Sequence, residues 1–348
     1  MSSLDSVQLK PSQRQPLLKS RAQRSHSLEA STTKSHPRDD ALKGTENASL
    51  YFVGTATTIL EWEGIRLMTD PNFLHAGDQV HLGPGVTAER RTNPALELDE
   101  LPSLDGILLS HYHEDHFDRD VEDALDRNFL IVTTPHARQC LTAKDESFCN
   151  VHALDFFQSL LLVGDRADKN ETRPVIKVTG MPGKHIPSGF LSAANDLLGA
   201  VPPTNGWMLE LGHGKGQQQG SNAEPGVGYR IYISGDTLFV DDLKRIPEWL
   251  NGEKIDLMLI HLGGTSIPSA SAPLVMVTMD AVQGLKMMRL MDPDVTVPIH
   301  FDDYSVFASP LNDFKKEVQG AGMEGRVVYL DRGEKYAFTV RDCAAGAR

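Results

Sequence analysis

The stretch ILLSHYHEDH, residues 107–116, decides the fold, because an apolar run leads directly into a dense group of metal-binding side chains. Three histidines and an aspartate stand within six positions, as His111, His113, Asp115 and His116. In an extended segment, side chains two positions apart point to the same side, so His111 and His113 can reach one ion. Asp115 and His116 fall where the chain turns toward a helix and can reach a second ion. The spacing favours a metal centre at the end of a buried strand over a solvated polar turn.

Three further potential ligands also follow predicted strands. His185, Asp236 and His300 each stand a few residues after a run rich in Val and Ile. Loops at strand ends converge on one edge of an α/β sandwich, which is where a site built from distant sequence should lie. Each residue taken alone could be an ordinary loop residue, but their common position after strands favours a shared site.

The order H-x-H-x-D-H, then His, then G-D-T, then P-x-H, is similar to that of the metallo-β-lactamase superfamily. Within it, the segments SHYHEDHFD, KHIPSG and PIHFDDY resemble the branch that contains ascorbate-6-phosphate lactonase and the N-acylphosphatidylethanolamine phospholipase D-like hydrolases. The resemblance covers residues 50–338, nearly all of the chain after its N-terminal tail. It implies an α/β protein with a four-layer αββα sandwich of two mixed sheets and a two-metal site on one edge.

The resemblance also implies a role for each ligand. His111, His113 and His185 would hold a first zinc ion, Asp115, His116 and His300 a second, and Asp236 would bridge them. Imidazole and carboxylate ligands without thiolate suit Zn²⁺, although this ligand set does not exclude Mn²⁺ or Fe²⁺.

Two such ions make hydrolysis the expected chemistry. Zinc lowers the pKa of a bound water to about 7, so a metal-bound hydroxide would be the nucleophile. Asp115 is the expected catalytic residue, orienting this water or moving its proton. The leading hypothesis is a zinc-dependent hydrolase of a small-molecule lactone or ester. A phosphodiesterase on the same fold, either phospholipase D-like or a nuclease, is an alternative, and a non-catalytic metal-binding protein is another.

Five more residues are candidates for supporting the metals or contacting substrate. Asp70 is either the acceptor behind a ligand histidine or a turn former before Pro71. His136 either meets a substrate anion or caps a helix. His261 follows a strand and either borders the pocket or packs in the core. Asp302 and Tyr304, just past His300, are expected in the pocket wall.

Composition limits the partners and the compartment. The first 50 residues carry eight Lys or Arg and five Asp or Glu, so with −13 on the whole chain the remainder carries −16. That charge disfavours nucleic acid, whose binding depends on Lys and Arg. Three cysteines without a C-x-x-C motif indicate a reducing compartment. We therefore expect a cytoplasmic protein without a transmembrane segment, mitochondrial import being the weaker alternative. The oligomeric state is unknown from sequence.

Residues 1–48 are polar, and the first aromatic residue is Tyr51, so we predict a disordered N-terminal tail whose removal leaves the melting temperature unchanged. Residues 49–340 would form the hydrolase domain and residues 341–348 a flexible C-terminus. Residues 186–203 are either a helix on the sandwich or a lid, and a lid with this apolar content would favour a substrate with an apolar portion. Residues 212–228 are predicted to be a flexible hairpin tip.

The alternation of apolar runs and turns predicts the order of elements. Strands are expected at residues 51–60, 65–70, 107–110, 129–134, 175–179, 207–211, 229–234, 257–260, 295–299 and 327–330. Helices are expected at residues 121–127, 279–291 and 311–319.

Overall fold

Two mixed β-sheets lie at the centre of the protein. A computed structural model describes residues 4–19, 28–39, 43–83, 85–165, 172–186, 201–215 and 226–342. In this part of the chain, one sheet has seven strands in the spatial order β1 (Asp5–Gln8), β11 (Ser159–Val163), β12 (Thr172–Pro182), β13 (Asn205–Lys215), β14 (Gly226–Ile233), β15 (Leu257–His261) and β18 (Val295–Ile299). The other has eight, in the order β10 (Val151–Ala153), β9 (Ile131–Thr133), β8 (Gly106–Leu108), β5 (Ile65–Thr69), β4 (Thr57–Trp62), β3 (Ala48–Gly54), β20 (Lys335–Phe338) and β2 (Thr33–Lys34).

Smaller elements surround these sheets. A two-stranded hairpin joins β6 (Gln79–His81) to β7 (Thr87–Glu89), and a three-stranded sheet contains β16 (Gly263–Ser269), β17 (Ala272–Met276) and β19 (Phe307–Ser309). The α-helices of the described residues are α1 (Arg119–Ala124), α2 (Pro135–Thr142), α3 (Arg245–Leu250), α4 (Ala281–Met291) and α5 (Leu311–Gly320).

Three apolar clusters hold the layers together. The largest fills the space between the sheets, where Trp62 of one sheet and Trp207 of the other are both buried. A second cluster packs α1 and α2 on the outer face of the eight-stranded sheet. A third packs α3, α4 and α5 on the outer face of the seven-stranded sheet. The predicted four-layer αββα sandwich is confirmed.

The last three residues of β14 show why a strand of this sheet can be apolar on both faces. Successive side chains of a strand point to opposite faces. Ile231 and Ile233 therefore enter the core between the sheets, whereas Tyr232 packs under the outer helices. Because both faces of the sheet are covered at these residues, apolar side chains do not alternate with charged ones there.

The direction of the strands positions the functional loops. β8 runs parallel to its neighbours β5 and β9, and β14, β15 and β18 run parallel to one another. The C-terminal ends within each parallel group therefore point the same way, and residues 111–116, Asp236 and His300 follow these ends. His185 follows β12, which runs in the same direction as β14 because β13, between them, is antiparallel to both.

Two predicted strands differ in the structure. The strand predicted at residues 51–60 is broken into β3 and β4, because Thr55 adopts a positive φ of 50° and its backbone carbonyl accepts a hydrogen bond from the backbone N–H of His300 at 2.7 Å. Residues 327–330 form no regular strand. Val327 makes a single bridge to Thr296, although Val328 and Leu330 are buried between the sheets.

The prediction of a disordered tail is wrong for much of residues 1–48. Residues 4–19, which we call the N-terminal arm, begin with β1, a parallel edge strand on β11. Leu9, Leu17 and Leu18 are each no more than 5% exposed. Leu17 and Leu18 pack in the cluster of α1 and α2, so a few leucines suffice to order a polar segment when the rest of the fold supplies the apolar surface. Farther along, β2 pairs with β20.

Several predictions fall outside the described residues. These are the lid or helix, of which residues 187–200 are not described, the middle of the hairpin tip, residues 216–225, and most of the C-terminus, residues 343–348. The prediction of a flexible tip is wrong at its two ends, because residues 212–215 belong to β13 and residues 226–228 to β14, and the two strands pair there. Arg341 itself is anchored, since its guanidinium lies 2.9 Å from the carboxylate of Asp256. None of the helices in the described ranges combines the length and apolar character that crossing a lipid bilayer requires.

Candidate metal centre

The histidine-rich segment, residues 111–116, follows a strand that is buried in the middle of the eight-stranded sheet. Backbone hydrogen bonds continue beyond β8, from the N–H of Leu109 to Val132 at 2.9 Å. The backbone N–H groups of His116 and Phe117 then both donate to the carbonyl of His113, at 3.0 and 2.8 Å. This tight turn returns the chain on itself, so residues near both ends of the segment face the same space.

The other predicted ligands come from the seven-stranded sheet. His185 follows β12, Asp236 follows β14, and His300 follows β18. These three side chains and those of His111, Asp115 and His116 are at most 5% exposed. His113 is the most accessible of the seven, with 17% of its side chain exposed.

The seven predicted ligands meet in overlapping groups, within which potential ligand atoms all lie within 4.8 Å of one another. The groups are Asp115, His116, Asp236 and His300; His111, His185 and Asp236; and His111, His113 and Asp115. Asp236, Asp115 and His111 each belong to two of these groups, and Asp236 is the carboxylate that the group of His111 and His185 shares with the group of His116 and His300. His113 is grouped with Asp115 rather than with His185, because its Nδ1 lies 2.9 Å from Asp115 Oδ1.

Four of the histidines share one arrangement. The Nδ1 atoms of His185 and His300 lie 3.0 Å from the backbone carbonyls of Val277 and Leu262. Nδ1 of His111 lies 2.9 Å from the hydroxyl of Ser110, and Nδ1 of His116 lies 3.2 Å from a carboxylate oxygen of Asp70. Each Nε2 is thereby turned toward the centre.

The Nε2 atoms are placed as metal ligands would be. Nε2 of His111 lies 3.1 Å from Nε2 of His185. Nε2 of His116 and Nε2 of His300 are 3.3 and 3.5 Å from Asp236 Oδ2, and both are buried without a hydrogen-bond partner. Convergent, unpaired imidazole nitrogens beside carboxylates fit divalent metal ions, and histidine ligands usually have their other nitrogen held in this way.

The electrostatics separate the histidines into two kinds. Burial lowers the pKa of His185 to about 4, and burial together with His116 holds the pKa of His111 well below its usual range. Burial opposes a proton on His116, but the carboxylates of Asp236 and Asp115 outweigh it and raise the pKa of His116 well above its usual range. His111 and His185 are therefore neutral at neutral pH, the state in which imidazole binds a metal ion.

The pKa of the Asp236 carboxyl is also displaced. Burial disfavours its charge, but His300 and His116 outweigh burial and hold its pKa well below the usual range. A carboxylate that stays ionised while fully enclosed provides the negative charge that a cation requires at this position.

Comparison with known proteins agrees with this geometry. Residues 66–301 match the family model described as a beta-lactamase superfamily domain. The chain belongs to the metallo-β-lactamase superfamily.

Relatives of the superfamily member described here include metal-dependent hydrolases. One from Nanoarchaeum equitans is 23% identical over 235 residues, covering 67% of this chain and 86% of the relative. Another, from Carboxydothermus hydrogenoformans, is 24% identical over 283 residues, covering 81% of this chain and 96% of the relative.

Solved structures share the fold at low identity. A possible metal-dependent hydrolase from Veillonella parvula has a TM-score of 0.62 at 17% identity, covering 83% of this chain and 98% of the other. An isothiocyanate hydrolase from Delia radicum gut bacteria has a TM-score of 0.61 at 17% identity, covering 84% and 99%.

Asp70 and His261 lie directly behind this superfamily site. Asp70 Oδ1 accepts a hydrogen bond from the Ser110 backbone at 2.7 Å, and its Oδ2 faces His116. Asp70 also has a positive φ of 34°, a backbone conformation found in turns. Its position is therefore compatible both with an acceptor behind a ligand histidine and with a turn former before Pro71. His261 is fully buried, and its Nδ1 lies 3.0 Å from Asp236 Oδ1.

The other three sequence candidates lie elsewhere. His136 is near the start of α2, in none of the metal groups, and the cap of that helix is the hydroxyl of Thr134. Asp302 is exposed, and its carboxylate accepts from the backbone N–H of Leu311 at the start of α5. Tyr304 is fully buried behind the site, so the predictions of Asp302 and Tyr304 in the pocket wall are corrected.

A buried polar network that the sequence did not reveal lies behind the histidine-rich segment. Asn72 donates to the backbone carbonyl of Glu114 at 3.1 Å and to the hydroxyl of Tyr304 at 2.9 Å. Arg90 is fully buried and donates to Asn72 Oδ1 at 3.0 Å. Asp303 Oδ1 lies 3.9 Å from the Arg90 guanidinium. These residue types are common on surfaces, so the sequence held no signal for them.

A small pocket opens onto the metal centre. Its polar floor consists of His113, Asp115, His185 and Asp236. Its wall is largely apolar and consists of Leu82, Val201, Thr265, Ile267 and Val277. In the described part of the chain no Lys or Arg lines this pocket.

Proposed function

We propose that the protein, a metal-dependent hydrolase of its superfamily, uses two zinc ions to hydrolyse a small-molecule lactone or ester. The observation that carries this proposal is the set of four buried histidines whose Nδ1 atoms are held by the protein. Their Nε2 atoms face a centre shared with Asp115 and Asp236.

Each side chain has a place in this proposal. His111, His113 and His185 hold the first ion, Asp115, His116 and His300 hold the second, and Asp236 contacts both. The absence of thiolate among these ligands favours zinc, with Mn²⁺ and Fe²⁺ as alternatives. When bound, the ions supply a water of lowered pKa and polarise the electrophilic oxygen of the substrate.

Asp115 is the proposed catalytic residue. Its Oδ2 lies 3.7 Å from His300 Nε2 and 3.8 Å from His116 Nε2, and the residue contributes to the pocket floor. Burial raises the pKa of Asp115, but His116 and His113 outweigh burial and hold it well below the usual range. An ionised carboxylate at the floor can orient the attacking water and accept its proton.

The pocket wall supports an apolar substrate. Leu82, Ile267 and Val277 would contact the part of the substrate that lies away from the ions. A phosphodiester carries a charge that basic residues usually neutralise, and the described wall offers none. Together with the charge of −16 outside the first 50 residues, this favours a lactone or ester over a nucleic acid.

The test is a substrate screen of the zinc-loaded protein. Lactones, aryl esters, β-lactams and bis-aryl phosphodiesters are assayed beside Asp115→Ala, purified identically. We expect lactone or ester hydrolysis that falls at least a hundredfold in the variant, in line with general-base contributions of about 10² to 10⁴. Hydrolysis of phosphodiesters alone would favour the phosphodiesterase, and zinc binding with no hydrolysis in any class would favour a non-catalytic protein.

We also propose a cytoplasmic location. Cys140 and Cys149 are both free, as expected in a reducing compartment. Fractionation of cells that express the full chain would test this, and recovery in mitochondria would contradict it.

A further inference from the structure

Asp236 has both carboxylate oxygens held by neighbouring side chains. Oδ1 faces Nδ1 of His261 at 3.0 Å, and Oδ2 accepts a hydrogen bond from the hydroxyl of Thr278 at 2.9 Å. Oδ2 is also the oxygen that lies 3.3 Å from His116 Nε2 and 3.5 Å from His300 Nε2. The contact with His261 therefore decides which edge of the carboxylate faces the proposed second ion.

His261 is itself firmly held. It is the last residue of β15, and its backbone N–H donates to the hydroxyl of Ser234 at 3.0 Å. Its ring is fully buried and stacks on the ring of His300, with centroids 5.5 Å apart and planes 16° apart. Because the backbone of His261 is anchored and its ring is stacked, Nδ1 faces Asp236 in one orientation.

The contact also fixes the tautomer of His261. A carboxylate oxygen that faces a neutral imidazole nitrogen at 3.0 Å requires the proton on that nitrogen, here Nδ1. Nε2 is then an acceptor, and it is buried without a hydrogen-bond partner. His261 is grouped with Asp70 and His116 and not with Asp115, Asp236 and His300, so its ring lies beside the ligand His116, behind the position of the proposed second ion.

We propose that His261 is a positioning residue that donates from Nδ1 to Asp236 Oδ1 and thereby turns Oδ2 toward the second metal ion. The proposal rests on the two-ion site described under Proposed function. Without this donor, only the Thr278 hydroxyl holds the carboxylate, so the group can rotate about its terminal bond and Oδ2 loses its fixed place between His116 and His300. Binding of the second ion should weaken, whereas binding of the first should change little.

The experiment compares three substitutions that differ in where they can donate. His261→Asn places an amide nitrogen near the position of Nδ1, His261→Gln reaches farther and places its nitrogen near Nε2, and His261→Phe keeps a ring without a donor. His213→Phe is the matched control, since His213 packs on Trp62, with ring centroids 5.3 Å apart, and belongs to none of the metal groups.

Metal-stripped proteins are titrated with Zn²⁺ by calorimetry, and the ions retained are counted by elemental analysis. Loss of a residue that supports a ligand typically reduces metal affinity 10- to 100-fold. We expect a loss of about this size at the second ion for His261→Phe and His261→Gln. Wild-type protein, His261→Asn and His213→Phe should bind two ions with similar affinity. The visible spectrum of the Co²⁺-loaded proteins should change in the same order.

The outcomes separate this proposal from the function on which it rests. Wild-type affinity for the second ion in His261→Phe would overturn it, and so would equal losses in the Asn and Gln variants. If His261→Phe does not fold, as judged by circular dichroism of the metal-stripped chain, the comparison of Asn with Gln decides alone. A wild-type protein that binds fewer than two ions would overturn the proposed two-ion function and this proposal together.

Discussion

The metal centre and the N-terminal arm are both assembled by contacts between distant parts of the chain. The buried side chains of the centre are ionisable, whereas those of the arm are apolar. The centre encloses ionisable groups such as Asp236 and His116. These groups lose their hydration on burial, and only their attraction to one another offsets that cost in free energy. The arm contributes Leu9, Leu17 and Leu18, whose burial stabilises the fold without requiring a hydrogen-bond or charged partner. One region is therefore arranged to place charged groups together, and the other to bury apolar surface.

The largest effect is expected from Asp236→Ala in the metal centre. Removing the carboxylate that the group of His111 and His185 shares with the group of His116 and His300 should reduce metal content toward one ion per chain and lower hydrolysis more than a thousandfold, equivalent to about 4 kcal/mol. The melting temperature of the metal-stripped protein should change little, because His116 can lose its proton once its partner is gone. The exposed Asp241→Ala is the control, and a variant that keeps two ions and the full rate would refute the assignment.

Leu17→Ala tests the arm and should have the opposite signature. Truncating a fully buried leucine costs about 3 kcal/mol, so the unfolding midpoint in urea should fall clearly. Turnover at temperatures where the variant is folded should equal that of the wild type. Lys10→Ala, at an exposed position of the same arm, should leave both quantities unchanged. An unchanged midpoint in Leu17→Ala would mean that the arm does not pack in solution.

Asp70→Asn should have an intermediate effect, confined to the centre. If the amide oxygen accepts from the Ser110 backbone, the amide nitrogen replaces the oxygen that faces His116 Nδ1. If the amide is turned the other way, the hydrogen bond from the Ser110 backbone is lost. We expect a 10- to 100-fold loss in zinc affinity, about 2 kcal/mol, with the second ion most affected. Asp78→Asn, in an exposed turn, controls for the loss of charge. Full zinc affinity in Asp70→Asn would show that His116 needs no support from behind.

Arg14→Ala should have the smallest effect and should depend on pH. The Arg14 guanidinium makes two hydrogen bonds, of 3.0 and 2.9 Å, to Asp105, whose side chain is 2% exposed. Burial raises the pKa of Asp105 and Arg14 opposes that rise, so removing Arg14 raises this pKa further. The loss of stability, about 1.5 kcal/mol at neutral pH, should shrink as the pH falls through the raised folded-state pKa of Asp105, because the protonated carboxyl no longer pairs with Arg14. Urea titrations at pH 7 and pH 3.5 would check this, and a loss independent of pH would contradict it.

The same contrast explains what the sequence could predict. Strand periodicity predicted the order of the elements, and the four layers were implied by the resemblance to the metallo-β-lactamase superfamily. The seven predicted ligands lie together, and they could be singled out because histidines and aspartates at strand ends are chemically conspicuous. Thr278 and Asn72 were missed because hydroxyl and amide groups acquire their roles only through contacts made by the fold. The arm was misjudged because its own apolar content is low, whereas the surface that covers Leu17 belongs to α1 and its neighbours.

The pairing of β1 with β11 has a consequence for colloidal behaviour. The sequence of β11 is SLLLV, and without β1 its backbone N–H and C=O groups on that side would be open to water. An open, apolar edge strand is a template for strand addition from another molecule. β2 shields β20 in the same way and ends in Lys34, a residue type that discourages such addition. The segment before the hydrolase domain thus covers two edge strands. A chain that lacks this segment should precipitate or form fibrils before it loses its secondary structure.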